Sequence, residues 1–77
     1  MNVDYEKLSE YIKRSRFDRK KSQEDTAKFI GVSTTTYRSY ENNPKQISLD
    51  VGLKINEFLE CNIFEFFLNC LLQNATK

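Results

Sequence analysis

Thr34, Thr35, Arg38 and Ser39 stand at positions i, i+1, i+4 and i+5 in the stretch "GVSTTTYRSYENN", residues 31–43. Each hydroxyl both donates and accepts a hydrogen bond, each threonine adds a methyl group, and the arginine adds a rigid fork of donors. A DNA major groove offers matching partners: acceptors, donors, the thymine methyl and the guanine O6/N7 pair. An ordinary polar helix face has the same composition, and on an isolated helix that plainer reading would prevail. Bond-breaking chemistry is not expected. The chain has no histidine, no Gly-rich phosphate loop, and no Cys or Ser beside a recognisable base.

The element that carries these residues must be a helix for them to act together. Three successive β-branched threonines are mediocre helix formers. Ser33, however, is a natural N-cap, and Tyr37 and Tyr40 recur at helical spacing. At ~100° per residue, Thr34, Thr35, Arg38, Ser39 and Asn42 gather on one face. Tyr37 and Tyr40, with the edges of Thr36 and Glu41, form the other, which is the core face.

The same signals divide the rest of the chain. Asp4 caps a helix over about residues 4 to 17, with Tyr5, Leu8, Tyr11 and Ile12 on its apolar side. Ser22 caps a second, which has Glu24 and Asp25 in its first turn, Ala27, Phe29 and Ile30 as its apolar residues, and Gly31 as its stop. The third runs from Ser33 to Asn42 and Asn43, before Pro44. Ser48 caps a fourth with Val51, Ile55, Phe58 and Leu59, and Asn62 a fifth, "IFEFFLNCLLQ". The expectation is a single all-α domain over residues 1–77, with five short helices and no strand. The tight connection around Gly31 and Val32 forces helices 2 and 3 to cross steeply, as in a helix-turn-helix. Small Ala27 fits their closest approach.

Composition agrees. The chain has 77 residues, two glycines and one proline, and 30% of its residues are charged. No apolar run reaches the ~18 to 20 residues of a membrane span, and no signal peptide is expected. Cys61 and Cys70 are read as two buried thiols of a cytosolic protein in preference to a disulfide. No metal or other cofactor is expected. Net charge is +1, yet residues 13–21, "KRSRFDRKK", hold six basic residues and one acid. That run is either an electrostatic footprint for phosphate or a solvated helix end.

The segment "SQEDTAKFIGVSTTTYRSYEN" resembles the helix-turn-helix of the lambda repressor and Cro family, also called XRE-type. With Gln23 as the motif's first position, Ala27 falls at the small fifth position and Gly31 at the turn. Tyr37 and Tyr40 fall at the inward positions of the recognition helix, and "YENN" matches the family's closing aromatic-Glu-Asn-Gly. The likeness covers about residues 5 to 68, with the helix-turn-helix itself over about 23–42. It implies a five-helix lambda-repressor-like domain that binds a double-stranded DNA operator. By position it implies base reading by Thr34, Thr35 and Ser39, with Arg38 among them. Gln23 is implied as a phosphate contact, and Thr36, Asn43 and Lys45 as flanking ones. Arg16 and Glu41 match a structural ion pair. Lys21 and Thr26 stand where the family has leucine, which should weaken the packing of helix 2. Asn43 replaces the closing glycine, acceptable because Asn tolerates the left-handed backbone region.

The fifth helix carries too much apolar surface for one contact. Ile63, Phe66, Phe67, Cys70 and Leu71 make one stripe. Phe64, Leu68 and Leu72 make a second, and only Glu65, Asn69 and Gln73 interrupt. A second stripe with nothing left to cover it marks a partner surface, over about residues 63–73. The expected partner is a second copy, since such repressors read paired half-sites as dimers. The expectation is therefore a transcriptional repressor of phage or mobile-element origin. The rival readings are an antirepressor that holds another repressor by the apolar helix, and an antitoxin-like module.

Overall fold

The computed structural model describes residues 3–75, with side chains described through Leu72. Five helices follow in order: α1 (Tyr5–Asp18), α2 (Gln23–Ile30), α3 (Thr34–Asn42), α4 (Leu49–Leu59) and α5 (Ile63–Ala75). Among the described residues there is no strand, and one 3-10 turn, Pro44–Gln46, joins α3 to α4.

Each helix starts where a short polar side chain can take an orphan backbone donor. Asp4 accepts from Lys7 N at 3.1 Å, Ser22 from Asp25 N at 2.9 Å and Ser33 from Thr36 N at 3.1 Å. Ser48 accepts from Val51 N at 3.3 Å and Asn62 from Glu65 N at 3.0 Å. At Ser22 the Asp25 carboxylate also reaches back to the cap's own N–H, at 3.5 Å, which completes a capping box. Gly31 ends α2 with φ +90°, a conformation that L side chains resist. Its N–H and that of Val32 both donate to Ala27 O, at 2.9 and 3.0 Å. The turn is thereby closed in the three residues between α2 and α3. Asn43 ends α3 differently from the expectation: its φ is −137°, outside the left-handed region. Its carbonyl accepts from Gln46 N at 3.1 Å, so the 3-10 turn reverses the chain without needing a left-handed residue there.

The core is Leu8, Ile12, Ala27, Ile30, Tyr37, Ile55, Leu59 and Ile63, all buried and drawn from all five helices. Tyr5, Tyr11, Tyr40, Val51 and Phe58 pack partly against it. The two positions where the family has leucine, Thr26 in α2 and Lys21 just before it, are accommodated in different ways. Thr26 is fully buried, and its hydroxyl donates to Ser22 O at 2.8 Å, so no donor is wasted. Lys21 lies half-buried with Nζ 4.9 Å from the centre of the Phe58 ring. Phe29 stacks on the same ring, at 4.6 Å between centroids, but stays 43% exposed.

The N-terminus of α5 is pinned by two hydrogen bonds. Asn56 Oδ1 accepts from Ile63 N at 2.8 Å, and Tyr11 Oη accepts from Asn62 N at 2.8 Å. Phe66 stacks on Tyr11 and Phe67 meets Tyr5 edge-on, with centroids at 5.7 and 6.2 Å. Two expectations are corrected here. Phe64 is half-buried, not free: it lies over Gly52, where an added Cβ would come within 3.1 Å of Phe64 Cζ. A missing side chain on α4 makes room for one residue of the second stripe. Leu71, assigned to the inner stripe, is partly open at 36% exposure, beside Leu68 and Leu72 at 53 and 54%. The side chain of Gln73 lies outside the described residues. Cys61 and Cys70 are both free and half-buried rather than fully buried; burial pushes the Cys61 thiol's pKa up.

Candidate nucleic-acid interface

Helix α3 is anchored from behind and open in front. Tyr37 and Glu41 are fully buried on its inner side. Thr35, Thr36, Arg38, Ser39 and Asn42 are exposed, and Thr34 is half-exposed. The four proposed base-reading residues therefore share one accessible face, with no acidic side chain among them. Thr36 lies at its edge, where its hydroxyl accepts from Ser33 Oγ at 2.9 Å. Asn43 and Lys45 follow on the exposed turn after α3.

The buried Glu41 organises the interior behind that face. Arg16 Nε lies 2.7 Å from Glu41 Oε2, and a second guanidinium nitrogen donates to Oε1 at 3.3 Å. The side chains are 11% and 0% exposed. Arg16 also donates to Lys21 O at 3.1 Å, which ties the end of α1 to the entry of α2. Ser9 donates to the Glu41 carbonyl. Arg16 and Glu41, paired on the family pattern, thus join α1, α2 and α3 at one point.

Gln23 sits between this centre and the open face. Its Nε2 donates to Glu41 Oε1 at 3.2 Å, and its Oε1 accepts from Arg38 Nε at 3.2 Å. Each end of the amide has one partner, so an anion near α2 could meet the second Nε2 hydrogen as well as the unpaired N–H groups of the first turn. Ser39 donates to Gln46 Oε1 at 3.0 Å. Gln46 was not singled out from the sequence. It lies seven positions on, across a proline turn, and no periodicity links it to α3.

The basic run disperses. Arg16 goes to Glu41, Arg19 pairs with Glu60 at 3.1 Å, and Lys21 goes to Phe58. Half of its six cations are thus engaged within the chain, which weakens the reading of the run as one phosphate footprint.

Tyr37 carries a mismatch. Its Oη is buried with no hydrogen-bond partner of acceptable geometry among the described residues. Burial raises its pKa, and the adjacent Glu41 carboxylate raises it further. An unpaired buried hydroxyl costs about 1 to 3 kcal/mol. Tyr37→Phe should therefore melt no lower than the parent chain, and higher if the whole cost is recovered. A lower midpoint in a thermal melt would mean that the hydroxyl does bond to Glu41.

Two helices joined by a three-residue turn, the second with an open polar face, have the form of a helix-turn-helix nucleic-acid-binding module. A family model described as helix-turn-helix matches residues 6–66. The chain belongs to that family, the XRE-type helix-turn-helix proteins of the lambda repressor and Cro kind, which are DNA-binding transcription regulators. Comparison with curated proteins and with solved structures gives no match. None of the described helices is long and apolar enough to cross a membrane.

Proposed function

We propose that the chain is a sequence-specific repressor that occupies a double-stranded DNA operator. Thr34, Thr35, Arg38 and Ser39 read base edges in the major groove. Thr36, Asn43, Lys45 and the start of α2 at Gln23 hold the flanking phosphates. The observation that supports this most is the two-sidedness of α3: buried Tyr37 and Glu41 fix the helix while the polar face stays accessible. We take its setting to be a phage or mobile element.

The two kinds of contact predict different failures. Arg38→Ala should weaken specific binding by about 1 to 3 kcal/mol and relax one base position. Lys45→Ala should weaken binding on all sequences alike and flatten the slope of log affinity against log salt. A binding assay over operator variants and salt concentrations separates them. Unchanged sequence preference in Arg38→Ala removes Arg38 from the reading face. An unchanged salt slope in Lys45→Ala removes Lys45 from the phosphates.

We further infer that the protein acts as a homodimer through α5. Leu68 and Leu72 are more than half exposed, and on α4 Leu49 and Leu53 are 67 and 54% exposed on either side of Gly52. Exposed leucines of this number in so small a domain suit a partner interface. A second reading rests on the same leucines: they hold a different regulator, and the chain is an antirepressor or an antitoxin-like module. A pull-down that recovers such a protein, together with weak and salt-insensitive DNA binding, would favour it.

A further inference from the structure

We infer that Gln23 and Glu41 are positioning residues for Arg38, so that a buried carboxylate fixes how an exposed arginine presents its fork. This rests on the reading above in which Arg38 meets a base. The contacts form an unbroken series: Arg16 to Glu41, Glu41 to Gln23, and Gln23 to Arg38. Its two ends differ in freedom, Glu41 being fully buried and Arg38 exposed.

The chemistry gives the series a direction. Glu41 paired with Arg16 is an acceptor only, so the amide end that faces it must be the NH2. The Gln23 carbonyl is thereby turned the other way, toward α3. There it is an acceptor placed for an arginine donor. Arg38 is a donor only, so it requires the same orientation from the other side. An amide that could flip in water is held in one state by two neighbours with opposite demands. Arg38 Nε is the atom engaged. The two terminal NH2 groups stay available, and rotation about the Cδ–Nε bond is restrained. Arg38 is thus set to meet a guanine end-on, through its terminal pair, without first giving up its contact to Gln23. The Gln23 side chain then serves base reading, while the backbone at the start of α2 remains the phosphate contact.

Holding one long side chain in advance saves its ordering on binding, equivalent to about three- to tenfold in affinity. Gln23→Met keeps the length and helix propensity and removes both hydrogen bonds. Two measurements test the idea. In the DNA-free protein, the Arg38 Nε–H signal in a nitrogen–proton NMR spectrum should shift and broaden in Gln23→Met, while that of Arg16 stays sharp. In binding assays, Gln23→Met should lower discrimination at the base pair read by Arg38 by about three- to tenfold. It should leave discrimination unchanged when placed on Arg38→Ala. An unmoved Arg38 signal overturns the inference. So does a uniform loss on all sequences that is the same with and without Arg38, which would leave Gln23 a phosphate contact only. If Arg38→Ala by itself keeps the parent's preference, the base-reading assignment falls and the positioning role falls with it. The NMR shift would then show that the contact exists without that purpose.

Discussion

Arg16→Ala is expected to cost about 3 to 5 kcal/mol of stability, because it strands a carboxylate that no water reaches. Glu41 is fully buried, and without Arg16 its neighbours would be the neutral amide of Gln23 and the hydroxyl of Tyr37. Neither carries the charge that Arg16 supplies through two contacts. In a domain of this size each kcal/mol moves the melting midpoint by roughly 4 to 8 °C, so thermal melting without DNA will register the loss clearly. A midpoint equal to the parent's would mean that the pair is solvated and contributes nothing. The double variant Arg16→Met with Glu41→Leu should recover much of the loss. Removing both charges leaves no buried charge unpaired, and replacement of a buried ion pair by apolar groups is often close to neutral. Gln23 would then lack its acceptor, so the double variant should also read DNA less selectively even where it is stable.

Leu68→Glu is expected to halve the mass in solution without unfolding the chain. Leu68 is 53% exposed in the monomer, so the new carboxylate meets water there and the lost packing is small. Within a dimer interface the same carboxylate would be desolvated without a cation, a cost of several kcal/mol. Truncating a fully buried leucine would by contrast cost about 2 to 5 kcal/mol in the monomer itself; Leu8 and Leu59 are residues of that kind. Sedimentation and circular dichroism on one sample distinguish the cases. Loss of helical signal would make Leu68 part of the core. Unchanged mass and unchanged partner capture would leave the exposed leucines of α5 without an interface role.

The helix count, the helix starts and the family could be read from residue types. Asp4, Ser22, Ser33, Ser48 and Asn62 cap helices because a short polar side chain next to an apolar repeat satisfies backbone donors locally. Gly31 stops α2 for an equally local reason, since its backbone takes φ +90°. The faces of α3 also followed from periodicity, because Tyr37 on one side and Arg38 and Ser39 on the other are separated by rotation about a single axis. The resemblance aligned Arg16 with Glu41 across 25 positions, a pairing that periodicity could not supply.

What folding alone decided lies between elements. The sequence could count two apolar stripes on α5. It could not show that Gly52, on another helix, would accept the Phe64 ring and cover one residue of the second stripe. Lys21 and Thr26 looked like packing defects as residue types. In place, Thr26 returns its hydroxyl to the preceding turn and Lys21 lies over Phe58. The basic run read as one charge block, yet three of its cations face three different neighbours. The link from Glu41 through Gln23 to Arg38 joins positions 18 and 15 residues apart. Composition and periodicity describe how a residue sits on its own helix. Which side chain meets which across two helices depends on the crossing angle and separation, and those are fixed only when the core closes.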